Sequence, residues 1–576
     1  MSISGNFPSQ PPTLLLDFAN SSELDPRITF TRASTATYYD GQTSVVAEQN
    51  LLAPSQGFTS ANGWINVSSG VAVAVNNANT APDGSNTATQ LTFGGSNTYW
   101  GKPPTVLVTA GLTYTFSIYA QVADGLGNLT FNLGFVPTGG GTTQLISVTA
   151  TSTYSQLSVT FPNIQPGPNY SLTSYQAYVC IVSSSTRVLN VWGAQLEQRA
   201  NATAYIATTT TAITNYIPQL MTAANNVPRF DHNPTTGQSL GLLIEESRTN
   251  NSLYSSDFTK SPTWTLQAVT ILPAAAIAPD GTLTAQKIIP TTTVAAAGPW
   301  QATVLSSSVY TLSFYAKSGE YSYAWARMEI ANSTYFNLIT GTISSIGSGY
   351  TATIVYVGNG WYRCSITKTL TNPYVAVGVT SSSGNDGTGG NGYNGIYVWG
   401  TQLEAGAFAT SYIPTGAFTA TRLADNASMT GTNFSSWYNT NQGTLYAEHI
   451  SNYTKTGNQY IAEIYSDGSN RAVIIDGYFA MAGVNGTPVV VTPSSLGSTI
   501  KQAISWYSNT GISTNYQNGT SYALSSSGYQ KPFNTLVIGQ YTSAGGNQSQ
   551  LNGYIRKIAY WPQALSNTQI QALTTS

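Results

Sequence analysis

The chain has 576 residues with 20 Lys and Arg against 22 Asp and Glu, so only 7% of it is charged and the formal net charge is −2. An ordinary globular chain is about 25% charged. Electrostatic binding of nucleic acid or anionic membrane is therefore excluded. Disorder is excluded as well, because 41% of residues are hydrophobic and 11% aromatic. Small neutral polar residues take the place of charge, as on the surface of an all-β protein.

The length corresponds to about four domains. Two cysteines, Cys180 and Cys364, make no disulfide framework, and with His232 and His449 they make no zinc site of known spacing. They read as buried free thiols. The opening MSISGNFPSQPPT has neither a basic nor an apolar signal region, and no run of 18 apolar residues occurs, so neither a signal peptide nor a membrane span is expected.

In chain order, LLLDFANSSELDPRITFTRASTATYYDG (14–41) reads as short strands with a turn at Asp40-Gly41. NNVPRFDHNPTTGQSLGLLIEESRTN (225–250) reads the same way, with a turn at Asn233-Pro234. The two are expected to form one small β unit interrupted by what lies between them. Residues 1–49 are thus an attachment segment plus small unit, and 208–249 a β linker completing it.

A duplication accounts for the middle of the chain. YTFSIYA at 114–120 returns as YTLSFYA at 310–316, VWGAQLE at 191–197 as VWGTQLE at 398–404, and APDG at 81–84 as APDG at 278–281. The copies span 50–207 and 250–415. Their hydrophobic period is two: Tyr310, Leu312, Phe314 and Ala316 share one strand face, and Thr311, Ser313 and Tyr315 the other. Each copy reads as a β-sandwich of jelly-roll type. The last segment, 416–576, has strand candidates at 443–450, 472–481, 501–508, 534–541 and 551–562, then a short amphipathic helix with Ser566 as N-cap. The fold class expected is all-β, with tandem sandwiches throughout.

The carboxylates give little support for catalysis. Asp83 and Asp280, like Glu197 and Glu404, recur at matched motif positions, which points to turn capping and backbone satisfaction. The APDG turn is also where a structural calcium would be sought; no other cofactor is expected. Glu245 and Glu246 point to opposite faces of a strand and are expected to pair with Arg229 or Arg248. Gly237-Gln-Ser239-Leu-Gly241 has the letters of a nucleophile elbow, but a turn precedes it and a strand-like run follows. Asp231 and His232 are adjacent, which does not suit a triad. GTGGNG at 387–392 leads into a strand and is a Gly-rich loop, as is Gly139–Gly141.

Aromatic rings are the candidates for binding, since sugar C–H faces stack on them. The matched pairs Trp64 and Trp264, Trp192 and Trp399, Tyr114 and Tyr310 read as core. The unmatched Trp100, Tyr321, Tyr323, Trp325, Trp437 and Trp506 are the expected carbohydrate contacts.

ITFTRASTATYYDG, with NVPRFDHNP and GLLIEESRTN, resembles a segment of tailed-bacteriophage virion proteins. The copies ending WGAQLE and WGTQLEAGAFATSYIPT resemble carbohydrate-binding-module-like jelly rolls. GTLYAE and LNGYIRKIAYWPQALS resemble the early and closing strands of a laminin-G/concanavalin A-like sandwich. The resemblance implies a non-enzymatic component of the virion exterior, a tail fibre or adhesin that binds host-surface glycans. It implies a homotrimer. SISGNFPSQPP, which lacks a core of its own, is the expected attachment peptide to other virion proteins, and charge and hydropathy leave no nucleic acid and no membrane insertion expected. A capsid-attached head fibre or decoration protein is the alternative, and a polysaccharide depolymerase the second alternative.

Overall fold

The computed structural model describes residues 10–575 except 69, 71, 96, 105–106, 139–141, 165–173, 452–458, 468–469, 477, 483–488, 491–496, 509–511, 526–530 and 542–549. Side chains are also left undescribed at 478–482, 489–490, 512–513 and 523–525. Most of the attachment peptide expected at 2–12, and Gly139–Gly141, lie outside the described residues.

The chain is all-β, built of antiparallel sheets paired into three sandwiches. The first stacks a sheet containing Leu129–Pro137, Ala177–Ser183 and Thr98–Lys102 on one containing Tyr114–Val122, Val188–Glu197 and Ala88–Phe93. The second stacks Gly298–Gln301, Val375–Thr380, Tyr323–Arg327 and Thr334–Asn337 on Ala285–Pro290, Ile396–Ala405, Ser308–Ser318 and Trp361–Leu370. Period-two alternation does what it predicts: Tyr310, Leu312, Phe314 and Ala316 all enter the core between these sheets. The matched tryptophans Trp64 and Trp264 each pack on a phenylalanine, Phe58 at 4.7 Å and Phe258 at 4.9 Å.

The third sandwich recruits the chain's beginning. Leu14–Leu16 and Ser239–Ile244 both pair with Gly553–Trp561, and Thr29–Thr31 pairs with Asn426–Thr430. Segments 14–31 and 230–244 are therefore strands of the C-terminal sandwich, not a unit of their own. Their apolar residues Leu14, Leu16, Phe30, Leu242 and Ile244 belong to that sandwich's core, which explains the pairing. The two repeats grow out of this host on antiparallel ribbons. Ala36–Asn50 leaves and Ile213–Ala223 returns; Arg248–Asn250 leaves and Ala420–Arg422 returns.

Asp40-Gly41 is not a chain reversal. It is a bulge inside strand Ala36–Asn50, where Asp40 accepts from the backbone N–H of Gln42 and Thr43. Asn233-Pro234 does turn the chain, and Asn233 Oδ1 accepts from the N–H groups of Thr235 and Thr236. Ser566 caps the terminal helix Asn567–Thr574 in a reciprocal capping box with Gln569. The strand expected over 472–481 is two, Asn470–Asp476 and Tyr478–Ala482.

Where the ribbons meet the host, charge is buried. Arg229 donates to Glu245 at 2.7 Å and to Asp425 at 2.6 Å, and Arg32 donates to the other oxygen of Asp425 at 2.9 Å. Glu246 pairs with Arg248. No helix among the described residues is long and apolar enough to cross a membrane.

Candidate functional site

The duplicated motifs form hydrogen-bonded clips. Glu197 accepts from Gln195 Nε2 at 2.9 Å, Thr203 N at 2.9 Å and Thr203 Oγ1 at 2.7 Å. Glu404 accepts from Gln402 Nε2 at 2.9 Å, Thr410 N at 2.8 Å and Thr410 Oγ1 at 2.7 Å. Both carboxylates are wholly buried and fully engaged. Asn50 and Asn250 staple the same places: each Nδ2 donates to the carbonyl of Ala194 or Thr401 and to that of Ile206 or Ile413. Asp83 and Asp280 cap their turns, each accepting from the N–H and hydroxyl two residues on, at Ser85 and Thr282. Among the described residues no cluster of three His, Cys, Asp or Glu side chains converges as metal ligands would.

The other chemical candidates are also accounted for. Ser239 opens strand Ser239–Ile244, and no helix follows it. Asp231 accepts from Tyr39 N and Tyr554 Oη, while His232 Nδ1 faces the carbonyls of Tyr39 and Phe230, so the two make no catalytic dyad. Burial pushes the thiols of Cys180 and Cys364 above their ordinary range, away from thiolate chemistry.

Of the expected sugar contacts, three are walled into cores. Trp100 is 5% exposed and donates its Nε1–H to the Phe58 carbonyl at 2.8 Å; Trp437 is 4% exposed and Trp506 fully buried. Rings so enclosed offer no face to a ligand. Tyr321 is half-buried and packs against the core of the second sandwich.

Tyr323 and Trp325 behave differently. Ala324 and Ala326 enter the core, so alternation sends Tyr323, Trp325 and Arg327 to the outer face of their sheet. Register brings partners beside them. Trp325 lies opposite Gly378 and Tyr335, Tyr323 opposite Thr380 and Asn337, and Ala376 is flanked by Arg327 and Trp300. Gly378 is required here, because a Cβ would lie 2.3 Å from the Trp325 indole. Arg327 stacks over that indole at 4.9 Å. Trp300 and Tyr374, both half-exposed, pair at 5.8 Å at one end of the face. At the other end Asn337 Nδ2 donates to Tyr323 Oη at 3.3 Å.

A Gly-rich strap, residues 381–395, crosses the middle of this face and leaves Trp325 only 1% exposed. Asp386 on the strap accepts from Arg327 Nη1 at 3.0 Å, from Ser333 Oγ at 2.8 Å and from Tyr335 Oη. Burial, then the Asp386 carboxylate, push the Tyr335 phenol up and keep it a donor. Trp300, Tyr374, Arg327, Tyr335 and Asp386 went unnoticed in the sequence. Arg327 and Trp325 share a parity that would have revealed them as neighbours; the others meet only through sheet register.

Among the described residues the first sandwich keeps part of this face, with Tyr178 where Tyr374 stands and Tyr99 on the same side, both half-buried, but it lacks the tryptophan and arginine centre. Counting from the strand-end residues Lys102 and Gln301, Gly101 and Gly134 stand where Trp300 and Arg327 do, and the hydrogen-bonded pair Asn132 and Ser147 where Trp325 and Tyr335 do.

No protein-family model matches the chain, and no curated protein matches it. Among solved structures it is similar to the CBM22-1–GH10 modules of Clostridium thermocellum endo-1,4-beta-D-xylanase 10B, at 16% identity and TM-score 0.21. That match covers 31% of this chain and 30% of that one, so less than a third of the xylanase chain is spanned. It is also similar to the CBM40 of a Ruminococcus gnavus IT-sialidase, at 14% identity and TM-score 0.21 over 25% of this chain and 87% of that one. The CBM22-1–CBM22-2 tandem of Paenibacillus barcinonensis Xyn10C matches at 11% identity and TM-score 0.20, over 64% of this chain and all (100%) of that one. Likenesses of this size assign the chain to no family.

Proposed function

We propose that this chain is a non-enzymatic glycan-binding protein that acts on the exterior of a tailed-bacteriophage particle, as a tail fibre or adhesin. The observation that carries glycan binding is the outer face of the second sandwich. Trp300, Tyr374 and Tyr323 present ring surface there, with the Asn337 amide beside them. Rings stack on sugar C–H faces, and an amide can take hydroxyls. Among the described residues its tryptophan and arginine centre occurs in one copy of the duplicated module only, as expected where one copy has acquired a ligand.

The non-enzymatic part of the reading rests on the carboxylates. Glycoside hydrolysis needs two carboxyl groups facing one bond about 5–10 Å apart. Glu197, Glu404, Asp83 and Asp280 are consumed by clips and turns, and Glu245 and Asp425 by arginines. The virion setting rests on the resemblance of ITFTRASTATYYDG and its companion motifs. The fibre is a homotrimer, attached to other virion proteins by its N-terminal peptide, and its three faces act by avidity. A shallow sugar site of about millimolar strength gains roughly 10²–10⁴ when several act together.

The test is binding of the purified protein to host and non-host surface polysaccharide, with reducing ends measured in the same tubes. Host-selective binding that falls about tenfold in Trp300→Ala, without new reducing ends, is expected. New reducing ends would overturn the non-enzymatic reading. Absence of binding would leave a structural particle protein, such as a head decoration.

A further inference from the structure

We propose that the outer face of the second sandwich is a receptor for the carboxylate of an acidic sugar, and that Asp386 occupies it as an internal stand-in. This rests on the glycan-binding reading and narrows it to uronic or sialic acids.

Three donors converge on one carboxylate. Arg327 Nη1 and Ser333 Oγ both reach Asp386 Oδ2, and Tyr335 Oη reaches Oδ1. Arg327 and Tyr335 project from adjacent strands, and Ser333 immediately precedes the second of them, so the donor set is held by the sheet and not by the strap. A guanidinium flanked by hydroxyls is suited to carboxylate recognition. Here the guanidinium lies over the indole, its central carbon 4.9 Å from the ring centroid.

A second observation points to a ligand. Trp325 Nε1 is buried and has no hydrogen-bond partner, although the ring is only 1% exposed. An unpaired buried N–H has given up its water without compensation. A sugar carries hydroxyls that can accept from it; the strap supplies no acceptor. Beyond Trp325, Trp300 and Tyr374 extend the face to accommodate the next sugar ring.

The strap backbone is fastened on both sides of Asp386. Thr380 Oγ1 donates to the Asn385 carbonyl at 2.5 Å and the Gly390 N–H to the Thr291 carbonyl at 2.6 Å, while the Ala297 N–H reaches the Asp386 carbonyl at 3.3 Å. Seven residues on, Tyr393 is clamped between Tyr119 and Trp192 of the first sandwich. The Asp386 carboxylate can therefore leave by rotation of its side chain while the strap stays in place. As a competitor pre-positioned by the fold it acts at an effective concentration well above millimolar, which a monosaccharide overcomes poorly and a polymer engaging several faces overcomes well.

The experiment compares the full-length protein with Asp386→Ala, Asp386→Asn and the double variant Asp386→Ala/Arg327→Ala, by titration calorimetry. The probes are glucuronate, N-acetylneuraminate and glucose; the first two distinguish a uronic from a sialic receptor. Asp386→Ala should bind at least one acid about tenfold more tightly than the parent, with glucose unchanged, and the double variant should lose the gain. Asp386→Asn retains an acceptor for the strap and should fall between, which secures the test if the alanine variant folds poorly. A gain shared by glucose, or no gain for either acid, overturns the receptor. If a neutral polysaccharide still binds through Trp300 in that case, glycan binding itself stands. If no glycan binds any variant, the broader reading has failed instead.

Discussion

The phenol of Tyr393 meets the indole of Trp192 edge-on, with ring centroids 5.6 Å apart at 85°. One residue comes from the strap of the second sandwich and the other from the VWG motif of the first. Tyr119 meets the same phenol at 5.6 Å, and Lys287 lies over it at 4.3 Å. The repeat-equivalent box in the second sandwich, Tyr315, Trp399 and Tyr412, takes in Tyr39 from the ribbon. Each VWG box thus receives a tyrosine from a neighbouring part of the chain. That explains why these motifs resist divergence while surrounding loops vary in length between the two copies.

Removing the guest should loosen the two sandwiches from each other. Tyr393→Ala forfeits two aromatic contacts and a cation–π contact, a loss of about 2–4 kcal/mol. The expected result is a new protease-sensitive site within the strap, with the folded cores retained. Limited proteolysis followed by mass spectrometry reads this directly. Unchanged protection of the strap would mean that Tyr393 is not what fastens it.

The clips should prove structural. In Glu404→Gln the amide N–H₂ can face only the Thr410 hydroxyl, which then accepts and gives up its own acceptor, so one buried donor is left unpaired at about 1–3 kcal/mol. Urea unfolding should show this loss, and Glu197→Gln should show a similar one in the first sandwich. Neither variant, where folded, should change glycan binding. A selective loss of binding with full stability would assign these carboxylates to the ligand site.

Legibility in the sequence followed the range of the interactions. Period-two alternation, the repeat, the Ser566 cap and the pairing of Glu245 and Glu246 with arginines are local, and all were readable. The interruption of one unit by the first repeat was readable too, but its completion by the C-terminal sandwich was not. Leu14–Leu16 pairs with Gly553–Trp561 across almost the whole chain, and nothing in LLL names that partner. Trp100 and Trp300 illustrate the same limit at the site. Both sit in short strands of matching sheets, yet one faces inward and the other outward, because their positions relative to the strand end differ by one. A shift of one residue reverses every side chain in a strand.

Arg229 holds the junction between ribbons and host. Replacing it with Met leaves Asp425 with Arg32 and the Glu245 N–H and takes from Glu245 its shortest arginine contact, at an expected cost of about 3–5 kcal/mol. Burial alone would raise the Glu245 carboxyl, but the Arg422 and Arg229 guanidiniums and Ser411 hold it well below its ordinary range. Its contribution is therefore present above the unfolded carboxyl range and is lost as pH falls toward the depressed folded value. Acid unfolding of the parent should be steep at low pH, and Arg229→Met should flatten it. Equal acid sensitivity of the two proteins would remove the junction as its origin.

Asp231 carries the opposite sign. Burial raises its carboxyl from 3.8 to about 6, despite hydrogen bonds from Tyr39 N and Tyr554 Oη. The folded state binds this proton more tightly than the unfolded state, so the contribution is fully present below the unfolded value. It is lost as pH rises through about 6. The full swing is about 3 kcal/mol, from a shift of about two units at 1.36 kcal/mol each. Asp231→Asn keeps an oxygen for the N–H groups of Tyr39 and His232 and turns its amide toward the Tyr554 hydroxyl, which then accepts instead of donating, so the contacts are kept without a charge. Urea unfolding of both proteins between pH 5 and 7.5 should show the variant gaining on the parent as pH rises, reaching about 3 kcal/mol at the upper end. Taking the difference at each pH cancels the other titrating groups, including Glu463, which burial raises to about 7. A difference independent of pH would mean that Asp231 is ionised throughout and that its three hydrogen bonds outweigh its desolvation.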